Sequence, residues 1–509
     1  MFYPLSPYRR GERARQKTVC LAPLAAAQGA LARYNPWRDS IEVRREPLRD
    51  VETFLKHLYQ EYEDQYPRSR AAHEEAKRLL VDGVSHGARL FAPFPFRITA
   101  ARGPYVKELG GAQIIDYWQG HYANILGHNP PVIVEALQAE LERGFGLQTG
   151  IPDEGQTAFA ATLAKATGAE KVRLTTSGTL ATMYAIMLAR AFTGRNAVLK
   201  VGGGWHGANP LALKGVARTA EGFTAVDSTG LPKSAEEEIL VTRFNDVEAL
   251  EEVFRRRGEE IACFIFEPCP GGGGFIPATK AFMGAARELT RRYGALLILD
   301  EVITGFRFCA SGVQRLYGVQ ADLSTFGKII GGGMPVSAVV GRADVLERAS
   351  ESVPKRVWFN GGTFAAHPLS VRAGQAMLDY LIAHEDTLYP ALAAKGDWLR
   401  RNIERVFADR GILARCTGDD AEAIPAGGSL GWVNFPLRED VPLTAPEDVT
   451  DPSVCDVALR EKALKIGLLL EGVNVVHGLG AISLEHSEEV LARTLEAYDA
   501  FAKRLSREG

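Results

Sequence analysis

The chain has 509 residues, of which 46% are hydrophobic and 24% charged, the composition of a globular protein with a large core. Its net charge of −3 gives no basis for binding nucleic acid, and no apolar run approaches the roughly 20 residues that a membrane span needs. The six cysteines are scattered, without a CxxC pair or a histidine at metal-ligand spacing. We interpret them as reduced thiols of a cytoplasmic protein that has no metal site.

The first patterned segment is 9–32, "RRGERARQKTVCLAPLAAAQGALA", which is basic and then mildly apolar. This order is typical of a weak export or transit signal. Glu12 lies among the arginines, however, and Pro23 and Gln28 interrupt the apolar part. These three residues argue against a targeting role.

A helix is predicted over 50–66, "DVETFLKHLYQEYEDQY", because apolar residues recur there at helical spacing. The residues that form this stripe are Phe54, Leu55, Leu58 and Tyr62. We interpret 1–70 as an N-terminal extension that serves as a packing arm or a dimer contact.

Between 160 and 345, short aliphatic runs alternate with segments of helical period. The runs that predict strands are "KVRLTTS" (171–177), "AVLKVG" (197–202), "EILVTRF" (238–244), "ACFIFEP" (262–268), "ALLILDE" (295–301) and "LSTFG" (323–327). One intervening helix is predicted over 180–194, with Gly194 as its C-terminal cap. This alternation predicts an α/β fold whose mainly parallel sheet is covered by helices on both faces.

After about 370 the chain is rich in helical patterns, with a strand-like "GSLGWVNF" (428–435) and a final helix. We therefore predict a smaller second lobe. The predicted division is the extension 1–70, an N-terminal part of the small domain 71–135, a large binding domain 136–370, and a C-terminal part of the small domain 371–509.

Polar residues follow several predicted strands, at the sheet edge where ligands of parallel sheets bind. Thr175–Thr179 ends the first run and enters a helix. The free N–H groups at the N-terminus of this helix either bind an anion, and are then called the anion seat, or are capped by a Ser or Thr side chain without a ligand. Trp205, in "GGGWHG", follows the second run and offers a flat face to a ligand or to the core.

Acids and a lysine follow the later strands. Glu267 follows the fourth run, and Asp300 and Glu301 end the fifth, where two acids on an aliphatic strand are costly unless they are paired or functional. The sixth run leads to Lys328, in "GKIIGGGMP".

Pyridoxal phosphate needs all four of these features: the anion seat, an aromatic side chain, a buried acid and a lysine. Its phosphate needs N–H donors, its ring a stacking face, its pyridine nitrogen a carboxylate and its aldehyde a lysine. The alternative is a phosphate-binding nucleotide enzyme. However, "GKIIGGG" does not fit GxxxxGK[ST], and no GxGxxG opens the first strand-to-helix turn.

These motifs resemble those of the class III, fold-type-I pyridoxal-phosphate aminotransferases, most closely the glutamate-1-semialdehyde aminomutase branch. The similar segments are "TTSGTLATMYAIMLARAFTGR", "LLILDEVITGFR", "FGKIIGGGMPVSAVVGR" and "GGTFAAHPLS". The resemblance runs from about residue 70 to the C-terminus. It implies a large domain with a central sheet and a smaller α+β domain formed from the N- and C-terminal segments.

The resemblance also implies roles for single residues. Lys328 would form a Schiff base with the cofactor and act as general acid and base, while Asp300 would bind the pyridinium nitrogen. The implied cofactor contacts are Val302 and Trp205 on the ring, Asn245 near its 3-hydroxyl, Ser177, Gly178 and Thr179 on the phosphate, and Thr363 on the phosphate of the neighbouring subunit. The last contact implies an obligate homodimer with shared active sites.

The substrate side departs from the family pattern. Arg89, in "GVSHGAR", matches the arginine that binds a substrate carboxylate, for which its bidentate geometry is suited. His121, however, replaces a tryptophan, Gly478 replaces a glutamate, and Leu180 and His367 replace the usual Glu and Asn. The stretch 210–232 still resembles the aminomutase's mobile loop.

We therefore predict an aminotransferase that moves an amino group from an amino-acid-like donor to a keto or aldehyde acceptor through pyridoxamine phosphate. Two alternatives remain on the same scaffold: the aminomutase reaction on glutamate semialdehyde, and racemisation or epimerisation of an amino acid. A binding scaffold without activity would require an idle Lys328.

Overall fold

The computed structural model describes residues 51–418, 424 and 428–508. The described residues all belong to one compact unit, Val43–Gly509. The export-signal pattern at 9–32 and Cys20 lie outside them.

The strands fall into three sheets. In chain order they are β1 (Ile98–Arg102), β2 (Tyr105–Glu108), β3 (Gln113–Asp116), β4 (Lys171–Thr175), β5 (Ala197–Val201), β6 (Ile239–Thr242), β7 (Ile261–Phe266), β8 (Leu296–Glu301), β9 (Leu323–Phe326), β10 (Ser337–Gly341), β11 (Arg415–Thr417), β12 (Leu430–Asn434), β13 (Val473–Asn474) and β14 (Gly480–Ala481). The large sheet has seven of them, in the order β4-β10-β9-β8-β7-β5-β6.

All six strands predicted from the aliphatic runs are confirmed, as β4 to β9. Strands β6, β5, β7, β8 and β9 pair in parallel, and β10 pairs antiparallel with both of its neighbours, β9 and the edge strand β4. The predicted mainly parallel sheet is therefore confirmed. The pattern missed β10, which lies inside the stretch that was assigned to the lysine motif.

Helices cover both faces of the large sheet and build the rest of the molecule. They are α1 (Val51–Gln65), α2 (Pro67–Ala76), α3 (Gln119–Tyr122), α4 (Pro131–Arg143), α5 (Glu154–Thr167), α6 (Gly178–Thr193), α7 (Ser234–Glu238), α8 (Val247–Arg257), α9 (Lys280–Tyr293), α10 (Gln314–Tyr317), α11 (Ala343–Leu346), α12 (Pro368–Ala383), α13 (Glu385–Ala408), α14 (Pro446–Thr450), α15 (Lys465–Leu470) and α16 (Glu488–Glu508). Helix α6 ends at Gly194 with a left-handed cap, as its sequence predicts.

Burial on both faces explains why the central strands are aliphatic throughout. Along β7 the side chains alternate: Phe264 and Phe266 enter one core cluster, whereas Cys263 and Ile265 enter another on the opposite face. The strand therefore has no exposed side, and polar residues can stand only at its end.

The smaller lobe combines both ends of the described chain. One of its sheets has the order β1-β2-β3-β13, in which β3 pairs in parallel with β13, and the other has the order β11-β12-β14. The predicted helix at 50–66 is confirmed as α1, and its apolar residues pack in the same cluster as those of α16. The division of the chain into four segments stays a prediction.

Within the described ranges, no helix combines the length and the apolarity that crossing a membrane would require. The same ranges contain no cluster of three or more side chains suited to hold a metal ion. The five described cysteines are free thiols.

Candidate active site

The carboxyl ends of adjacent parallel strands bring Asp300 and Lys328 to one edge of the large sheet. Asp300 is the fifth residue of β8 and is in register with Thr325 of β9. Lys328 follows β9 by two residues and opens a 3₁₀ turn, Lys328–Gly331. The two side chains therefore meet where ligands of open α/β sheets bind.

Lys328 is half-buried at this edge, and its backbone has a positive φ of 50°. Such a conformation is strained for a residue with a side chain, and strain of this kind concentrates at functional sites. Burial lowers the pKa of the Lys328 amine, while the Coulombic attraction of Asp300 and Glu267 opposes this shift. Lys328 is thus a desolvated amine beside two carboxyl groups.

Asp300 is buried and accepts three hydrogen bonds. Its Oδ1 receives the backbone N–H of Val302 at 3.1 Å and the Thr325 hydroxyl at 2.9 Å, and its Oδ2 receives His206 Nδ1 at 2.8 Å. A carboxylate has about four acceptor positions, so one position remains for a ligand N–H. Burial lowers the pKa of the His206 imidazole, although Asp300 opposes that shift.

Glu301, the next residue, points away from this edge. It is buried and accepts the N–H groups of Val313 and Gln314 at 2.6 and 3.3 Å. Burial raises the pKa of its carboxyl to about 7. Of the two acids that end β8, only Asp300 belongs to the candidate site.

The N-terminus of α6 forms the predicted anion seat. Ser177 caps this helix by accepting the N–H of Leu180 at 3.3 Å. The N–H groups of Gly178 and Thr179 precede the first intrahelical hydrogen bond and point out of the helix. A Cβ built on Gly178 would lie 2.8 Å from Val302 Cγ1, so the seat and Val302 are in close contact.

Trp205 lies in the loop that follows β5 and is 45% exposed, which leaves its indole available to a ligand. Its backbone N–H donates to Glu267 Oε1 at 2.8 Å, and Glu267 Oε2 accepts the N–H of Gly271 at 3.0 Å. Burial, and then the charge of Asp300, raise the pKa of Glu267. Glu267 thereby ties the Trp205 loop to the edge that holds Asp300.

Two predicted cofactor residues lie apart from this group. Asn245 follows the edge strand β6, and its amide donates to the carbonyls of Pro277 and Thr444 and accepts from Thr279 N. Thr363 is exposed, and its carbonyl accepts from Gln148 Nε2 at 2.8 Å. Within the chain, neither side chain is brought to Asp300 or Lys328.

The predicted substrate residues, Arg89 and His121, line one cavity. His121 packs against Trp118 and His86, with ring centroids 4.4 and 4.9 Å apart. Burial, followed by the nearby charges of His86, Arg89 and Lys328, lowers the pKa of His121 to about 4. His121 is therefore neutral at pH 7 and lies within electrostatic range of both Arg89 and Lys328.

A left-handed turn presents His121. Four successive residues, Gln119, Gly120, His121 and Tyr122, have φ values of 45°, 61°, 60° and 69°. Three of them carry side chains, for which the left-handed conformation costs about 1–2 kcal/mol each. The turn is held from both ends, since Asp116 accepts the N–H of Gln119 and Arg307 donates to the carbonyl of Tyr122.

The sequence favoured a structural or hydrogen-bonding role for His206 without naming its partner, and it gave no role to Arg307. The partner of His206 is Asp300, and the adjacency of His206 to Trp205, a predicted cofactor contact, was the available signal for it. Arg307 is fully buried, and burial lowers its pKa to about 10. Nothing in the motif "ITGFR" indicates that its guanidinium would reach back to the turn at 119–122.

The comparisons with known proteins agree with this geometry. The family model "Aminotransferase class-III" matches residues 87–416. The chain is 35% identical to the glutamate-1-semialdehyde 2,1-aminomutase of Hyperthermus butylicus, over 86% of this chain and 99% of that protein.

Two solved structures share the fold over nearly their whole length. An omega-transaminase from Sphaerobacter thermophilus has a TM-score of 0.77 at 30% identity, covering 86% of this chain and 97% of the other. A β-phenylalanine aminotransferase from Variovorax paradoxus has a TM-score of 0.77 at 28% identity, covering 89% and 97%.

The fold and the strand-end lysine and aspartate define the class of fold-type-I pyridoxal-phosphate enzymes. The family match covers well over half of the chain, so this protein belongs to the class-III aminotransferase family. Its cofactor is pyridoxal 5′-phosphate.

The residues at the edge fit this cofactor. Asp300 keeps one acceptor position for a ring N–H, and the free N–H groups of α6 suit a phosphate. Gly207 has a φ of 83°, and a Cβ there would lie 2.5 Å from Thr179 Oγ1. The absence of a side chain at 207 lets the Trp205 loop approach the anion seat.

Replacement of Gly207 by alanine should separate the Trp205 loop from the anion seat, because the new methyl group meets Thr179. We expect cofactor affinity to fall by about tenfold or more, the equivalent of at least 1.4 kcal/mol. Titration of the apoprotein with pyridoxal phosphate measures this. Gly194→Ala is the matched control, since Gly194 also has a positive φ (72°) but no atom within 4 Å of its Cβ position. Equal loss in both variants would contradict the role of the contact.

Proposed function

We propose that this protein catalyses pyridoxal-phosphate-dependent transfer of an amino group on a substrate whose carboxylate binds Arg89. The observation that carries this proposal is the pair of Lys328 and Asp300 on one desolvated edge. His121 lies within electrostatic range of Lys328 and lines the same cavity as Arg89. A guanidinium suits a carboxylate because it donates two parallel hydrogen bonds.

Each residue at the edge then has a chemical task. The bound cofactor supplies an electron sink for the bond electrons of the carbon that carries the amine. Asp300 keeps a proton on the ring nitrogen, and His206 holds Asp300 in place. Lys328 Nζ would take the proton from that carbon and donate it to a second carbon, a task for which a lowered pKa suits it.

The remaining contacts bind and orient the cofactor. Ser177, Gly178 and Thr179 would hold the phosphate, and Val302 and the Trp205 indole would contact the ring. Asn245 contributes by fixing its own loop, since its amide is engaged by three backbone groups.

The curated relatives favour an intramolecular version of this transfer, the aminomutase reaction, over transfer between two substrates. The loop that resembles the aminomutase's mobile segment supports the same candidate. In it, Asp227 accepts the N–H groups of Val216 and Ala217, both at 2.8 Å, and Arg218 pairs with Asp451. A loop anchored in this way could retain an intermediate between the two half-reactions.

The substrate-side side chains favour the second candidate, transamination between a donor and an acceptor. His121 stands where the aminomutase has tryptophan. Gly478 has a φ of 84°, and a Cβ there would lie 2.9 Å from Val433 Cβ, so the backbone is packed for glycine and not for the aminomutase's glutamate. The transaminase names of the two solved structures support this candidate too.

We also propose a homodimer in which Thr363 reaches the phosphate of the partner subunit. Four large apolar side chains, Leu147, Ile151, Trp358 and Phe364, are each more than half exposed in the single chain. Their two segments are linked by the hydrogen bond from Gln148 to Thr363. A second copy would cover this apolar surface.

Replacement of Lys328 by alanine should abolish turnover and the visible absorbance of the bound cofactor, because the chain then has no amine at the aldehyde. Cofactor binding should persist at reduced affinity through Asp300 and the anion seat. Absorbance spectra and cofactor content after gel filtration measure both effects. Lys200→Met is a control for buried lysines, since Lys200 is engaged by three carbonyls. Full activity of Lys328→Ala would refute the mechanism.

The two candidate reactions give different products. Incubation with glutamate semialdehyde alone yields 5-aminolevulinate only if the protein is an aminomutase. In a screen of amine donors, a transaminase instead shows the cofactor's change to its pyridoxamine form and release of a keto product. Formation of 5-aminolevulinate at rates above every donor–acceptor pair would select the aminomutase and reject the second candidate.

Mixed dimers test whether sites are shared. A Lys328→Ala subunit paired with a Thr363→Ala subunit contains one site with both intact residues only if Thr363 acts on the partner's cofactor. We expect the isolated mixed dimer to recover about half of the wild-type activity, since one site in two is restored. Activity no higher than that of the Thr363→Ala dimer would show that Thr363 serves its own subunit or none.

A further inference from the structure

A cavity of about 480 Å³ opens beside the candidate site, on the side of Arg89 and His121. Its wall is mainly apolar and aromatic and includes Leu80, Val84, Phe91, Phe96, Ile98 and Trp118. Cavities of this size and lining hold ligands with a substantial apolar body. An unbranched five-carbon substrate would leave much of this wall in contact with water.

Among the described residues, the charged groups of the cavity differ in how far their hydrogen bonds are already used. Asp116 is fully engaged, since it accepts the N–H groups of Trp118 and Gln119, the amide of Asn474 and the ring of His128. Arg97 donates to the carbonyl of Gly83 at 2.7 Å. The Arg89 side chain, by contrast, has no hydrogen bond or ion pair to any other residue of the described chain, so its guanidinium is available to an anionic ligand.

His121 joins this cavity to the reacting edge. Its left-handed turn, α3, packs against the 3₁₀ turn that begins at Lys328. The Nε2 atom of His121 is buried and has no partner in the described chain. A ligand whose carboxylate binds Arg89 and whose amine-bearing carbon approaches Lys328 would therefore pass beside an imidazole nitrogen that needs a hydrogen bond.

We propose that the apolar cavity holds an aryl or branched alkyl group of the substrate, while Arg89 binds the substrate's carboxylate. His121 then orients the amine-bearing carbon towards Lys328. The substrate class is thus an amino acid, or the matching keto acid, with a bulky apolar substituent. This inference rests on the proposed amino transfer. It adds that specificity comes from the wall formed by Leu80, Val84, Phe91, Phe96, Ile98 and Trp118.

The test compares two valine-to-phenylalanine substitutions. Val84 lines the cavity, whereas Val81, three residues earlier, is 84% exposed and does not line it. For the holoenzyme we expect Val84→Phe to raise the KM for 3-amino-3-phenylpropanoate by about tenfold or more and to change that for alanine less than twofold. Val81→Phe should leave both values unchanged.

Binding of 3-phenylpropanoate, which has no amine to transfer, gives a readout independent of turnover. By calorimetry on the holoenzyme, we expect it to bind the wild type and to bind both Val84→Phe and Arg89→Leu at least about tenfold more weakly. The loss in the second variant arises at the carboxylate and not in the apolar wall, so a folding defect of Val84→Phe alone cannot produce the pattern.

The outcomes separate the two proposals. If the wild type binds 3-phenylpropanoate as predicted but transfers no amine, the proposed function fails and the cavity assignment stands. If the wild type transfers amines but prefers alanine or glutamate semialdehyde, or if Val84→Phe leaves both phenyl ligands unaffected, the cavity assignment is overturned.

Discussion

The desolvation of three ionisable groups at one sheet edge is the constraint on which this structure depends. Asp300, Glu267 and Lys328 stand at the ends of strands that are aliphatic because both of their faces are buried. Removing these groups from water would be costly if each stood alone. The attraction of Lys328 to both carboxyl groups and the N–H donors of the surrounding loops offset part of that cost, although the two carboxyl groups repel each other. Burial outweighs the attraction at Lys328, so its amine is less basic than in water.

The loops around this edge are fixed by unusual backbone conformations. Lys328, His121 and Gly207 all have positive φ, and each lies where a functional side chain or a close approach is needed. The left-handed turn at 119–122 is the most strained of these features, and it persists because Asp116 and Arg307 hold both of its ends. The hydrogen bonds of Asp116 and Arg307 thus fix the strained backbone that positions His121 on the substrate side.

Much of the sheet and its ligand-binding edge was predictable, because a short aliphatic run followed by a polar residue indicates both a buried strand and the residue at which it ends. β10 was missed because its residues lie inside the stretch that was assigned to the lysine motif. An aliphatic run also does not report pairing, so the antiparallel direction of β10 could not be predicted. The sequence also could not tell which acid of the Asp300–Glu301 pair faces the site, because alternate residues of a strand point to opposite sides and the register depends on the neighbouring strands.

Side chains that act over long sequence separations were beyond prediction. Arg307 donates to the carbonyl of Tyr122, 185 residues away. The amide of Asn245 donates to the carbonyls of Pro277 and Thr444, in two loops distant along the chain. Both sets of contacts join segments that are far apart along the chain, and a single sequence carries no signal for such pairings.

The most direct measurement is the location of the covalent bond between cofactor and chain. Borohydride reduction of the holoenzyme, followed by proteolysis and mass spectrometry, should find the reduced cofactor on the peptide that contains Lys328. Lys200 is the informative competitor, because it is buried and its pKa is also lowered by burial, to about 8. A modified Lys200 with an unmodified Lys328 would contradict the account.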